Sequence, residues 1–134
     1  MPTSSPSPRR AVVRSYRDLI VWQKAMTLAR SVYELTTALP ASERYGIAQQ
    51  LRRGAVSVPA NIAEGHGRML NGDFVRSLSI ARGSLHEVET FLLLSLDLGL
   101  LAPDAVRPAM ALADEASRML AVLIRRLGRK SPRR

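Results

Sequence analysis

The apolar residues of this chain recur at alternating spacings of four and three positions, and this repeat restricts its fold more than any other feature. One run comprises Val21, Ala25, Leu28, Val32, Leu35 and Leu39, and another comprises Phe74, Leu78, Ala81, Leu85, Val88 and Leu92. Such spacing places all members of a run on one face of an α-helix, whereas a half-buried strand needs apolar residues at every second position. The pattern therefore predicts amphipathic helices.

Two more runs have the same character, and proline and glycine residues separate the four segments. The second helix carries Ile47, Leu51, Ala55, Val58 and Ile62, and the fourth carries Val106, Met110, Ala113, Ser117, Leu120, Ile124 and Leu127. Pro40 should end the first helix just after Leu39, because the residue before a proline disfavours helical geometry. We expect the remaining helix ends at Gly65 with Gly67, at Gly99 and at Gly128, with Asn71 capping the third helix and Pro103 opening the fourth.

Four amphipathic helices with short connections predict an all-α protein with the antiparallel up-down topology of a four-helix bundle. Ser15 and Asp18 match a capping box at its start. We assign residues 1–14 to a disordered basic arm, residues 15–128 to the bundle and residues 129–134 to a basic tail.

The formal net charge of +9 is located entirely at the two ends of the chain. Residues 16–124 contain equal numbers of basic and acidic side chains. The excess comes from Arg9, Arg10, Arg14, Arg125, Arg126, Arg129, Lys130, Arg133 and Arg134. These residues are the candidate contacts for the phosphates of RNA or DNA, although a basic tail can also serve only solubility. No aromatic residue is interleaved with them, so base stacking at the tails is not expected.

Composition argues against catalysis, and we predict that the chain is not an enzyme and has no cofactor. It contains no cysteine and only two histidines, His66 and His86, which leaves too few ligands for a transition-metal site. The glycines near Gly65 follow no strand and precede no Gly-Lys-Ser/Thr, so they do not form a phosphate-binding loop. No apolar run is long enough for a membrane span, and we expect a cytoplasmic protein without a membrane partner.

A polar stripe along the second helix is the main candidate for an interaction site. Gln50, Arg53, Ser57, Asn61 and Glu64 share one helix face, and Ser84 and Glu87 follow a similar line on the third helix. Buried polar groups are costly unless they are paired, so such a polar seam would fix one arrangement of helices or of subunits. The alternative is a solvated helix face.

Several short motifs resemble a bacterial family of four-helix bundles first noted as proteins encoded in intervening sequences of 23S ribosomal RNA genes. They are Tyr16-Arg17-Asp18-Leu19, Val21-Trp22-Gln23-Lys24-Ala25, Leu39-Pro40 with Glu43, Gln50-Leu51-Arg52-Arg53, Ser57-Val58-Pro59-Ala60-Asn61-Ile62-Ala63-Glu64-Gly65, and Gly83-Ser84-Leu85 with Glu87. The resemblance implies a ring-like homo-oligomer, specifically a homopentamer. The accessory proteins of diversity-generating retroelements are more distant relatives of this family. For those relatives, the resemblance also implies a basic surface that contacts nucleic acid.

Two functions remain open from the sequence. The first is a non-enzymatic oligomeric protein that associates with nucleic acid, RNA in particular, through its basic termini. The alternative is an oligomeric scaffold for protein–protein interaction that does not bind nucleic acid.

Overall fold

The computed structural model describes residues 14–68 and 70–130, and within these ranges it consists of four α-helices and no strand. Helix α1 spans Ile20–Thr36, α2 spans Ile47–His66, α3 spans Asn71–Asp97 and α4 spans Pro103–Lys130. Single 3₁₀ turns at Tyr16–Asp18 and Ala41–Glu43 precede α1 and α2. The prediction of an all-α chain is confirmed. None of the described helices is both long and apolar enough to cross a membrane.

The helices form a bundle in which each one packs against two neighbours. Helix α1 contacts α2 and α4, helix α3 contacts the same two helices, and the α2–α3 contact is the most extensive. Because the connections are short, consecutive helices run antiparallel. The start of α1 and the end of α4 therefore lie at one end of the bundle, and the turn between α1 and α2 lies at the other. A ring of several bundles remains a prediction.

The predicted apolar rows form the core of the bundle. Leu28, Leu51, Leu85 and Leu120, one from each helix, have no solvent exposure. Six alanines are equally buried and allow the helices to approach closely, namely Ala25, Ala55, Ala81, Ala109, Ala113 and Ala116. Burial of these apolar side chains is the main favourable contribution to the stability of the fold.

The start of the bundle is the one that the sequence predicts. The backbone N–H of Arg17 donates to Ser15 Oγ at 3.1 Å, and the N–H of Ser15 donates to the Asp18 carboxylate at 3.3 Å. The capping box is thus complete, although it closes a 3₁₀ turn ahead of α1. The Arg14 N–H also donates to the same carboxylate at 2.8 Å. These backbone hydrogen bonds, from Arg14 first and Ser15 second, lower the pKa of Asp18.

Helix α1 is shorter than predicted, because it ends at Thr36 and not just before Pro40. The chain tightens there into a turn, in which the N–H groups of Thr37, Ala38 and Leu39 each bond to the carbonyl three residues back. Leu39 nevertheless stays buried. Its apolar spacing correctly indicated burial and wrongly indicated helix.

The other helix ends are partly as predicted. Gly99 has a φ of 71° and follows α3, and Pro103 is the first residue of α4. The cap assignment of Asn71 is wrong, because Asn71 is already helical and Leu70 holds the extended cap position without a side-chain hydrogen bond.

Two glycines predicted to end helices lie inside them. Gly65 is within α2, which ends one residue later, and its backbone is packed against α3. Gly67, predicted together with Gly65 to end this helix, does hold the cap position after it. Gly128 is within α4, which continues to Lys130, so the described bundle extends past the predicted boundary at residue 128. Among the described residues only Gly99 has a positive φ, so neither Gly65 nor Gly128 takes the left-handed conformation that commonly ends a helix.

Candidate functional site

Three members of the predicted polar seam are joined by hydrogen bonds, one of which connects α2 to α3. The Oγ atoms of Ser57 and Ser84 are 2.9 Å apart. Asn61 Nδ2 donates to the carbonyl oxygen of Ser57 at 2.8 Å and to its Oγ at 3.0 Å. All three side chains are half-buried. This part of the seam is an inter-helix contact within one chain, and it fixes the register of α2 against α3.

The remaining seam residues are not drawn into that network. Glu64 is exposed and pairs with Arg68 on its own segment at 3.2 Å. Arg53 and Glu87 are exposed and make no ion pair within the described part of the chain, and Gln50 is half-buried. The sequence pattern grouped seven residues, and the structure connects only Ser57, Asn61 and Ser84.

The serine pair should contribute measurable coupling between the two helices. We expect a double-mutant cycle with Ser57→Ala and Ser84→Ala to give an interaction energy of about 0.5–1.5 kcal/mol, the net value of a typical hydrogen bond. Urea unfolding of the two single variants and the double variant would measure it. Ser79→Ala, at an exposed position of α3, serves as the control. Strictly additive effects would show that the pair does not couple the helices.

Beside the seam, α2 and α3 form a shallow concave surface that we call the α2–α3 face. It has a volume of about 290 Å³ and is lined by Asn61, Glu64, Arg68, Asp73, Arg76, Ser77 and Ile80. Its two arginines and two carboxylates balance in charge, and Glu64–Arg68 is the ion pair formed among its described side chains. Ile80 adds an apolar side chain that is 49% exposed.

The basic residues of the two chain termini lie at the same end of the bundle. Arg126 lies in a groove with Leu19, Ile20 and Val21, which places the last turns of α4 against the start of α1. We call this region the basic end, and its described arginines are Arg14, Arg17, Arg125, Arg126 and Arg129. All five are exposed, and none of them forms a side-chain salt bridge within the described residues, although the Asp18 carboxylate interacts with Arg14.

The sequence could not predict this placement of the termini from charge alone, since it depends on an even number of antiparallel helices. The candidates Arg9, Arg10, Arg133 and Arg134, and the side chain of Lys130, lie outside the described residues. The same holds for the predicted arm at 1–13 and for the end of the tail. Arg14 alone of the predicted arm is described, and its backbone is held by Asp18.

The histidines take part in local packing. The ring of His66 meets Phe74 edge-on, with 5.6 Å between centroids. His86 Nε2 lies 3.3 Å from Ser117 Oγ. Arg82 Nε donates a hydrogen bond to the same oxygen at 3.3 Å. Glu64, which the sequence places near His66, pairs instead with Arg68.

The structure also contains a cleft that the sequence pattern does not predict, between the end of α1 and the start of α2. Tyr33, Arg44, Tyr45, Arg52 and Arg53 all line it. The sequence signal was divided, since Arg52 and Arg53 belong to one of the family-like motifs whereas Tyr33 and Tyr45 lie in other parts of the chain. Only folding brings these residues together.

Comparison with known proteins gives a family and a fold. The family model described as 23S rRNA-intervening sequence protein matches residues 17–122. A solved structure from Bacteroides thetaiotaomicron, described as a protein with unknown function from the S23 ribosomal protein family, superposes with a TM-score of 0.73. That match has 23% sequence identity and covers 78% of this chain and 98% of the other. No curated protein matches the sequence significantly.

Proposed function

The chain belongs to the 23S rRNA-intervening sequence protein family, and we propose that it is a non-enzymatic protein that binds RNA through its basic end. The family resemblance stated from the motifs is thereby confirmed, and the family's description motivates the choice of RNA as the polyanion. In this proposal the protein acts in the cytoplasm and needs no cofactor.

The observation that carries this proposal is the convergence of both termini. Residues 16–124 have no net charge, so the whole excess of +9 belongs to the two terminal segments. The bundle brings the described end of the first segment and the start of the second to the same end. Five exposed arginines then lie at one end of the bundle rather than at opposite ends, with Arg17 on a turn that contacts α1 and α2 and the other group on α4. Such a cluster attracts the phosphate backbone without requiring base contacts.

Arginine side chains at this position bind phosphates mainly by releasing counterions. Each phosphate contact contributes about 0.7 to 0.9 to the slope of log affinity against log salt concentration. The arginines of α4 lie near its C-terminus, where the helix dipole already favours positive charge. Because Arg125, Arg126 and Arg129 belong to α4, they have less conformational freedom to lose on binding than residues of a flexible tail would have.

The test is the salt dependence of binding to a short RNA duplex. We expect the combined change Arg125→Gln, Arg126→Gln and Arg129→Gln to lower the slope by about two and the affinity at 0.1 M salt by about 100-fold. A matched control removes three exposed arginines elsewhere, Arg30, Arg107 and Arg118, in the same way. Fluorescence anisotropy with labelled RNA gives both quantities.

An equal loss in the two triple variants would mean that net charge and not the basic end governs binding, and would contradict the proposal. If the triple change at Arg125, Arg126 and Arg129 left the salt dependence of RNA binding unchanged, that result would also contradict the proposal. The same titration with duplex DNA shows whether the interaction distinguishes RNA from DNA.

We propose further that copies of the chain associate, with the α2–α3 face as the contact. Its balanced charges suit contact with a like surface, since each arginine of one copy can meet a carboxylate of another. Exposed Ile80 supplies apolar area to that contact. A contact between like faces joins two copies, and the pentamer implied by the family resemblance would need further contacts between unlike surfaces. Either assembly would place more than one basic end in one particle and so raise the avidity for RNA.

The α2–α3 face also favours one alternative function. If the assembly forms while RNA binding is absent, the protein is an oligomeric scaffold for a protein partner and its terminal arginines serve solubility. Measuring particle mass and RNA affinity on the same sample separates these two functions.

A further inference from the structure

A cleft at the opposite end of the bundle from the termini combines arginine and tyrosine side chains. It has a volume of about 550 Å³, within the range of small-molecule sites, and lies between the end of α1 and the start of α2. Arg44, Arg52 and Arg53 line it together with Tyr33 and Tyr45, and no carboxylate is among its lining residues. The cleft is therefore positively charged although the body of the protein is neutral.

Arg52 is held in place by two neighbours on α1. Its Nε donates to Thr36 Oγ1 at 2.8 Å, and its guanidinium carbon lies 4.6 Å from the centre of the Tyr33 ring. These contacts use one nitrogen and one face of the guanidinium. The terminal nitrogens carry the remaining N–H donors, and the side chain makes no ion pair within the described residues. A guanidinium held in place in this way is suited to binding a phosphate, to whose oxygens it donates hydrogen bonds.

Two nearby carboxylates leave these cations available. Glu43 Oε1 accepts the backbone N–H of Ile47 at 3.2 Å and so caps the start of α2. Glu34 on α1 is exposed and forms no ion pair in the described part of the chain. Arg44 and Arg53 are likewise exposed and lack a carboxylate partner there.

Tyr45 is the second unusual element. Tyr45 is 80% exposed, the highest value among the large hydrophobic residues that the structure describes, and Tyr33 is 43% exposed. Exposed aromatic rings beside arginines provide a stacking surface for a planar base, which inorganic phosphate or an acidic peptide would not use. We propose that this cleft binds a nucleoside monophosphate group, with Arg44 and Arg52 on the phosphate and Tyr45 against the base.

This site is separate from the basic end and does not depend on the proposed function. Adenosine 5′-monophosphate is the probe, with adenosine and inorganic phosphate as partial probes, measured by isothermal titration calorimetry on the full chain. We expect Arg44→Gln and Arg52→Gln each to weaken binding of the monophosphate about tenfold, as loss of a charged hydrogen bond does. Tyr45→Ala should weaken the monophosphate and leave inorganic phosphate unchanged.

Two controls make the outcome unambiguous. Arg30 lies outside the cleft, so Arg30→Gln should not change binding of the monophosphate. The triple variant at the basic end should bind the monophosphate as the wild type does. Arg44→Gln keeps the test valid even if Arg52→Gln disturbs α1–α2 packing, because the Arg44 side chain makes no ion pair or hydrogen bond within the described residues. Equal affinity of wild type, Arg44→Gln and Tyr45→Ala would overturn the proposal. So would a cleft that binds an oligoglutamate peptide and not the monophosphate, which would make it a protein-docking site.

Discussion

Gly65→Ala is expected to lower the free energy of unfolding by about 1–3 kcal/mol, the usual cost of overpacking a buried site. A Cβ at this position would lie 2.6 Å from Ser77 Cβ and 3.0 Å from Phe74 Cδ1, both on α3. Contacts this short force the helices apart at the place where α2 and α3 cross. Urea unfolding would show the loss as a lower midpoint with an unchanged slope.

Gly83→Ala is the matched control, and it should raise the free energy of unfolding where Gly65→Ala lowers it. Gly83 is exposed on α3, and an added Cβ would meet nothing within 4 Å. Replacing glycine by alanine inside a helix then stabilises by about 0.5–1 kcal/mol. If Gly65→Ala stabilised the protein as Gly83→Ala does, the close approach of α2 and α3 at Gly65 would be refuted.

The second large effect concerns self-association. Reversing charge on the α2–α3 face with Arg68→Glu and Arg76→Glu should dissociate the proposed assembly to protomers of 14.7 kDa. The variant face carries only negative charge, and like charges brought together across an interface cost several kcal/mol. Light scattering after size-exclusion chromatography measures the mass directly.

A complementary variant makes this prediction specific. Glu64→Arg with Asp73→Arg should also fail to assemble alone, and an equimolar mixture of the two variants should recover the mass of the wild-type assembly. Arg30→Glu with Arg107→Glu, which changes as much charge elsewhere, should assemble normally. A wild-type chain that is a protomer at all concentrations, or a mixture that does not recover, would exclude this face as the contact.

The sequence predicted the helices well because helix faces depend on local spacing. Val21, Leu28 and Leu85 are buried as their positions in the repeat required. Helix ends were less well predicted, since Gly65 lies inside α2 where close packing against α3 outweighs its low helix propensity. Gly128 has no such packing, and α4 continues past it nonetheless. The stop at Gly99 could be predicted because its positive φ is a local requirement.

The candidate sites show the same division. Ser57, Asn61 and Ser84 could be predicted as a group, because helical spacing places them along facing lines. The position of Arg53 could not be predicted in this way. Arg53 lines the α1–α2 cleft and takes no part in the hydrogen-bonded section of the seam. Tyr33 and Arg52 are 19 positions apart in the chain, and the turn between α1 and α2 alone brings the ring and the guanidinium within 4.6 Å.

The most direct test of the proposed function is a titration of the nitrogen-15-labelled protein with a short RNA duplex, followed by amide chemical shifts. A duplex presents phosphates without exposed bases, so it reports on the basic end and not on stacking in the α1–α2 cleft. We expect the largest shifts at Arg14 to Leu19 and at Leu123 to Arg129. Shifts absent from both segments, or confined to the α2–α3 face, would contradict RNA binding at the basic end.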